Sequence, residues 1–322
     1  MDVNLREGGF SKKPFLPKHH YMKVLITGAT GMIGSELATL FLQNGISIHY
    51  LTTSKKEIKS ENNFHGFYWN PQQGIIDENC MLGVDSIIHL AGATISKRWT
   101  ESYKQEIIES RIVSANLLYK LLKNNPHQVK QFISASAIGI YPDSLTKTYT
   151  EDEKSVDSSF LGNVVVKWEE SVDKFRLLDI KVCKIRTGLV LSKKGGMLQE
   201  LLKPIKMGIG SPFGSGKQWQ SWIHIHDLVH LYFFVVQNQW QGIYNAVAPN
   251  PVTNRELTEA VAKKLRKPFF MPNIPKFLMK IILGEMHILL FTSQKVSAQK
   301  AIDNGFEFKY KTLDTALAHL LQ

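Results

Sequence analysis

Three glycines spaced three apart, Gly28, Gly31 and Gly34, end the apolar, β-branched run that starts at Lys23 and open an amphipathic stretch, Ser35–Asn44. Strand, glycine turn and helix in that order form the arrangement that holds a dinucleotide pyrophosphate. The first glycine permits the tight corner, the second lets the backbone approach an anion with no Cβ in the way, and the third lets the helix lie close on the strand. The phosphates would meet backbone N–H groups of Thr30, Gly31, Met32 and Ile33 at the positive end of the helix, each contact worth roughly 0.3–2 kcal/mol. The end of the second strand bears on which dinucleotide binds. An acid there holds both ribose hydroxyls of NAD and repels the extra phosphate of NADP. This chain reads HYLTTSKKE over 49–57, so Thr53 and Ser54 offer hydroxyls, Lys55 and Lys56 offer charge, and the first acid, Glu57, follows them. These residues predict NADP(H) as the cofactor, with NAD(H) the poorer ligand.

Other side chains have chemistry to offer. Ser134 and Ser136 precede Tyr141 at the end of the fourth strand, but a serine without a neighbouring base is a donor and acceptor rather than a strong acid or base. Serines at a strand end also satisfy backbone groups, and a tyrosine before a proline also packs. Arg98 and Trp99 follow the third strong strand, where a loop at the carboxyl edge would overhang a ligand crevice, and Arg98 and Arg111 supply guanidinium groups suited to a phosphate or carboxylate. A surface or interdomain role fits them equally. Trp219, Gln220, Ser221 and Trp222 combine flat apolar faces with polar neighbours, the character of a small-ligand wall. His224 and His226 are read more simply as structural hydrogen-bonding groups beside Asp227. No His, Cys and carboxylate spacing matches a closed metal site, so no metal is predicted.

The elements that must position these groups follow from periodicity. Ile46–Leu51, Ser86–Leu90, Gln131–Ala135 and Lys181–Ile185 read as strands after the first, with helical patterns at Glu101–Asn124 and Gly162–Leu178 as crossovers. The alternation predicts an α/β fold with a doubly wound parallel sheet, a Rossmann fold. Beyond Gly188, glycines at 195, 196 and 208–216 and prolines from 249 onward break the chain into shorter elements. The expected division is a flexible extension at 1–21, a dinucleotide-binding core at 22–190, and a smaller substrate-side region at 191–322 with some segments returning to the core.

Composition narrows the function classes. The 322 residues are 43% apolar, enough for a large core, and the formal net charge is +11. The lysines and arginines are dispersed along the chain, which argues for a basic solvated surface and against nucleic-acid binding. Phe277–Phe291 is interrupted by Lys280, Glu285 and His287 and is too short to span a bilayer, so it reads as a buried or interface helix. Met1–Tyr21 is basic without an apolar core, hence neither a secretory signal nor an anchor, and is expected to be floppy and dispensable, with Met22 a second possible start. Cys80 and Cys183 read as buried thiols, which with the rest places the protein in the cytoplasm. The sequence gives no partner beyond a small-molecule substrate, and no oligomeric state.

Taken together, GATGMIG at 28–34, HLAGA at 89–93, SASAIGIY at 134–141, RTGLVL at 186–191 and WIHIHDLV at 222–229 resemble an extended short-chain dehydrogenase/reductase. ISKRWTESYKQEIIESR at 95–111, GSGKQWQSWIHIHDL at 214–228 and NAVAPNPVTNREL at 245–257 are similar to its atypical subgroup, the epimerase family of YfcH type. The resemblance covers nearly all of the chain after Met22. It implies that Leu90, Ala91, Gly92, Ser134, Arg186 and Gly188 join the glycine turn around the cofactor, and that Ser136 hydrogen-bonds the reacting carbonyl or hydroxyl, with Tyr141 beside it. It also implies a Tyr-x-x-x-Lys pair on the Gly162–Leu178 helix, and this chain lacks it: with Glu169 as anchor, Leu161 and Val165 occupy the two positions. Neither moves a proton. The implied activity is an NADP(H)-dependent oxidoreductase or nucleotide-sugar-type epimerase acting on a small polar substrate, and the missing pair leaves a non-catalytic NADP(H) sensor with a protein partner as the alternative.

Overall fold

In the computed structural model, residues 22–322 are described; the N-terminal stretch on which the leader expectation rests lies outside them. Seven parallel strands form the main sheet: β1 (Lys23–Thr27), β2 (Ser47–Thr52), β3 (Phe64–Asn70), β4 (Ser86–His89), β5 (Gln131–Ala137), β6 (Lys181–Thr187) and β7 (Gly242–Ala246). Their spatial order is β7-β6-β5-β4-β1-β2-β3, with two-residue antiparallel pieces at Ser60–Glu61 and Ile75–Ile76 added to β3. The order reverses between β1 and β4, and a doubly wound sheet binds its ligand outside the carboxyl ends of the strands at such a point. Both faces must then be covered, which is why β1 and β4 read as continuous runs of Val, Leu and Ile rather than as alternating patterns.

Five of these strands follow the sequence reading; β3 and β7 do not. The FHGFYWN segment of β3 lies near the sheet edge and is mostly half-buried, so it lacks the apolar run of a central strand. In β7, GIYNA is short and comes after a long excursion, yet it pairs with β6 from Gly242–Cys183 to Ala246–Thr187. The chain therefore leaves the main sheet after β6 and returns to it.

Helices α1 (Met32–Gln43) and α5 (Ile225–Gln237) cover one face, packed on each other, while α2 (Glu101–Asn124) and α3 (Phe160–Asp173) cover the other. Helix α1 starts at Met32, three residues before the expected Ser35, because Gly31 takes the capping position and leaves Ser35 inside the first turn. Thr100 and Ser159 cap α2 and α3 with their hydroxyls. Between α3 and α5 lies α4 (Met197–Lys206), which with α6 (Asn254–Lys264) and α8 (Leu313–Leu320) encloses a separate core around Trp222. Two-residue and three-residue strand pairs tie this region down: Leu189–Leu191 with Trp222–His224, Trp219–Gln220 with Val252–Thr253, and Thr148–Tyr149 with Lys295–Val296.

The expected helix at Phe277–Phe291 is broken. Gly284, at φ +59°, ends α7 (Lys276–Leu283), and a 3-10 turn leads to the short helix Ile288–Phe291. Nor is α7 buried, for Phe277 is 67% and Ile281 71% exposed. Among the described residues, no helix is long and apolar enough to cross a membrane. Cys80 and Cys183 are both buried and free, and burial raises both thiol pKa values, that of Cys80 to about 12.

Candidate active site

The glycine turn has the steric properties its chemistry needs. Gly28 is left-handed at φ +72°, and a Cβ on it would stand 3.2–3.3 Å from the Leu90 and Ala91 backbone. On Gly34 a Cβ would lie 2.1 Å from the Gly28 carbonyl oxygen, a distance no side chain tolerates. Gly31 is exposed, and its Cβ position meets nothing but the Gly28 oxygen, at 3.3 Å. No side chain caps α1 and no acid lies in its first turn, so the positive helix end and the N–H groups near Met32 and Ile33 face outward unneutralised. Buried Thr27 aligns the two strand ends by accepting from Leu90 N and Ala91 N, both at 3.0 Å. At the end of β2, Thr53, Ser54 and Lys55 are exposed, and Lys55 lies 5.0 Å from the Tyr68 ring centre.

At the carboxyl ends of β5 and β6 is a cavity of about 230 Å³. Its floor is Ala137, Ile138 and Gly139 after β5, with Thr187 and Gly188 after β6. Leu161, Val164, Val165 and Trp168 of α3 form one wall, Ile288, Leu289 and Thr292 another, and Trp219, Gln220 and Ser221 a third. Leu161 and Val165 thus present hydrocarbon where the resembled enzymes present tyrosine and lysine. The charged groups in the lining are Arg111 and Asp157. Asp157 is occupied locally, accepting from Ser159 N at 2.8 Å ahead of α3.

Arg111 is half-buried, stacks on Trp168 with its Cζ 5.0 Å from the ring centre, and sits 3.2 Å from where a Cβ on Gly92 would be. Its Nη1 donates to the Ile107 carbonyl (2.8 Å) and its Nη2 to that of Ala93 (3.2 Å). No carboxylate pairs with it among the described residues. Burial lowers its pKa to about 10, against a smaller opposing effect of Tyr103, and the guanidinium stays charged at neutral pH.

The structure engages several of the expected site residues with other groups of the protein. Ser136 is 3% exposed and gives its proton to Glu169 Oε1 at 2.6 Å, so it neither lines the cavity nor has a hydrogen to offer a carbonyl. Arg186, expected at the cofactor, grips the same carboxylate through Nε (2.9 Å) and Nη2 (3.0 Å) and donates from Nη1 to the Tyr141 hydroxyl (3.0 Å). Tyr141 in turn donates to Asn245 Oδ1 at 2.7 Å and is 1% exposed. This is a satisfied buried network that joins β5, β6, β7 and α3. Burial raises the Tyr141 pKa, with Arg186 opposing, so no tyrosinate forms near neutrality. Ser134 is fully buried and bonded to the Ala135 carbonyl and to His89. His89, held by burial at a pKa of about 3, bridges to Ser114 at 2.8 Å.

Among the expected substrate contacts, Arg111, Trp219 and Ser221 line the cavity and Arg98, Trp99 and Trp222 do not. Arg98 is exposed. Trp99 is buried against Phe160 and donates to Ile95 O. Trp222 is fully enclosed in the C-terminal core, its indole donating to Asn250 O. Even Ser221 is spent, donating to Gln294 O and accepting from Val296 N. His224 accepts from His226 N and meets His319 at 3.1 Å, a structural set; among the described residues no group of three or more His, Cys, Asp or Glu is arranged to hold a metal.

The sequence matches the NAD dependent epimerase/dehydratase family over residues 24–246. The chain belongs to that family. Residues 274–320 match a further domain of unknown function, DUF1731. An epimerase family protein of Staphylococcus aureus strain MRSA252 is 37% identical over 92% of this chain and 98% of its own length. Among solved structures, the human epimerase family protein SDR39U1 (isoform 2) with NADPH superposes at a TM-score of 0.79, with 28% identity over 93% of this chain and 99% of that one. MoeE5 in complex with UDP-glucuronic acid and NAD shares the fold, with a TM-score of 0.73 at 17% identity over 92% of this chain and 96% of that one. The family's nicotinamide dinucleotide fold is therefore this chain's fold.

Trp168, Val164, Ile288 and Leu289 line the cavity without having been expected there, whereas Gln220 lines it with Trp219 and Ser221 as expected. A signal existed for the first two: Leu161, Val164, Val165 and Trp168 recur at helical spacing on one face of α3.

Proposed function

We propose that this member of the epimerase/dehydratase family binds NADP(H) in preference to NAD(H) and works as an oxidoreductase on a small polar substrate held in the cavity beside Gly188. The observation that carries the reading is continuity: the glycine turn packs on Leu90 and Ala91, the next residue, Gly92, packs on Arg111, and Arg111 lines the cavity. The cradle fits a dinucleotide, because an uncapped helix end, a Gly34 that excludes any Cβ and an acid-free β2 end are what a pyrophosphate and a ribose phosphate require. Gly28, Thr30, Gly31, Met32, Ile33 and Gly34 would hold the diphosphate, Thr53, Ser54 and Lys55 the ribose phosphate, and Leu90, Ala91, Gly92 and Gly188 the nicotinamide side. When bound, the nicotinamide supplies a hydride donor or acceptor.

What the chain's own residues add is binding and dryness rather than proton transfer. Leu161 and Val165 exclude water from one wall, Trp168 and Trp219 present flat faces, and Arg111 supplies fixed positive charge. Oxidation of an alcohol, the first step of a redox epimerisation, needs a base on the hydroxyl proton, and the α3 wall offers none. Reduction of an electron-poor carbonyl or conjugated acceptor, with the proton drawn from water, makes less demand on the protein. The test is a screen of such acceptors that follows NADPH absorbance, with product analysis for redox-neutral epimerisation. The hydrocarbon wall of α3 equally favours a second reading, an NADP(H)-sensing protein without turnover; a tight NADPH complex that no metabolite oxidises would select it.

A further inference from the structure

The cavity wall contains two hydrogen-bond donors that the protein leaves without acceptors. Trp168 is 7% exposed, and its indole N–H is buried and unpartnered. Arg111, stacked on the same ring, spends Nη1 and Nη2 donors on two backbone carbonyls, while its Nε–H has no partner among the described residues. In a planar guanidinium the Nε–H and one Nη2–H point the same way, the fork that takes two oxygens of a carboxylate or phosphate. Natural cores seldom leave a buried donor unmet, and each one left costs about 1–3 kcal/mol. Arg111 is half-buried and shares the cavity lining with Leu161, Val164 and Leu289, with no carboxylate paired to it among the described residues.

We propose that the substrate carries an oxyanion, a carboxylate or phosphate, that binds the Arg111 fork with Trp168 N–H as a further donor, and that the rest of it is flat and largely apolar. This deepens the reading of the cavity as the substrate site and rests on it. The chemistry follows from the wall: an anion gives the Arg111 Nε–H and the Trp168 N–H an acceptor and pairs the Arg111 charge, while Leu161, Val165 and Trp219 are suited to a ring or conjugated chain. A neutral sugar would leave the Arg111 charge without an anionic partner.

The experiment is calorimetric titration of the full chain, with and without saturating NADP+, using benzoate, phenyl phosphate and the neutral isostere benzamide. Benzoate or phenyl phosphate is expected to bind at least tenfold more tightly than benzamide, and whichever of the two is tighter distinguishes carboxylate from phosphate. Arg111→Met should erase the preference for the anion, Arg111→Lys should retain only part of it, and Trp168→Phe should weaken the anion severalfold. Benzamide binding as well as both anions overturns the proposal on the wild-type chain alone, before any variant is made. A preference that survives Arg111→Met also overturns it. Failure of NADP+ to bind, with anion selectivity intact, refutes the cofactor reading instead, so the two failures are distinguishable.

Discussion

Replacing Glu169 by Gln tests whether Ser136, Arg186 and Tyr141 form a scaffold rather than a catalytic set. The carboxylate is the hub: it accepts from Ser136 and twice from Arg186, and Lys184 approaches at 3.4 Å, with side-chain exposures of 6–8% for the three charged groups. The amide leaves buried Arg186 without its counter-charge, while Lys184 keeps Asp173 at 2.9 Å, and removing one partner of a buried pair costs about 3–5 kcal/mol. With an unfolding entropy of about 2.1 cal/mol/K per residue, that is a fall of roughly 4–7 °C in melting temperature for a chain of this size. Burial by itself would raise the Glu169 pKa, but Arg186, Lys184 and Ser136 outweigh it and hold the group below its ordinary 4.5. A depressed carboxylate contributes stability that is present above its ordinary pKa and lost as pH falls through its folded value. Melts of the wild type should therefore decline below about pH 4.5 more steeply than those of Glu169→Gln. Differential scanning calorimetry from pH 7 to pH 3 measures both. An unchanged melting temperature at pH 7, or parallel acid limbs, would refute the network argument.

Four more expectations follow from the same geometry. Ser136→Ala removes one hydrogen bond to a buried carboxylate, about 1.5–3 kcal/mol, and should lower the melting temperature while leaving NADPH affinity intact. Gly34→Ala drives a methyl into the Gly28 oxygen, so equilibrium unfolding should show a loss of about 1–3 kcal/mol or more, with NADPH binding weakened alongside. Thr53→Asp puts a carboxylate at the end of β2 and should shift the NADPH-to-NADH affinity ratio toward NADH by about tenfold or more, read by fluorescence titration. His89 and His224, both held by burial at a pKa of about 3 against an ordinary 6.5, stay neutral in the fold; stability is full above pH 6.5 and falls on acidification toward pH 3, and His89→Asn should flatten part of that slope in urea melts.

The central sheet was legible because β1, β4, β5 and β6 are largely buried and each concentrates apolar residues, although Ser134 and Ser136 interrupt β5 and Lys184 and Arg186 interrupt β6. β3 escaped because half-burial near the sheet edge mixes its pattern, and β7 because five residues after a long excursion carry little signal. The glycine turn was legible for a steric reason, since only glycine fits where Gly34 meets the Gly28 oxygen. At the cavity, residue type did not reveal direction. Ser136, Arg186 and Tyr141 have the chemistry of a site but face one another across the strands, while Trp222 turns into a separate core and Trp219, three residues earlier, faces the cavity. Which side a side chain takes depends on partners distant in sequence, such as Asn245 for Tyr141 and Glu169 for Ser136.

The most direct test of the account is equilibrium titration of the wild-type chain with NADPH and with NADH under identical conditions, followed by nicotinamide fluorescence. One lysine contact to the ribose phosphate is worth about 1.5–3 kcal/mol, so NADPH should bind at least about tenfold more tightly. Equal affinity, or tighter binding of NADH, would contradict it.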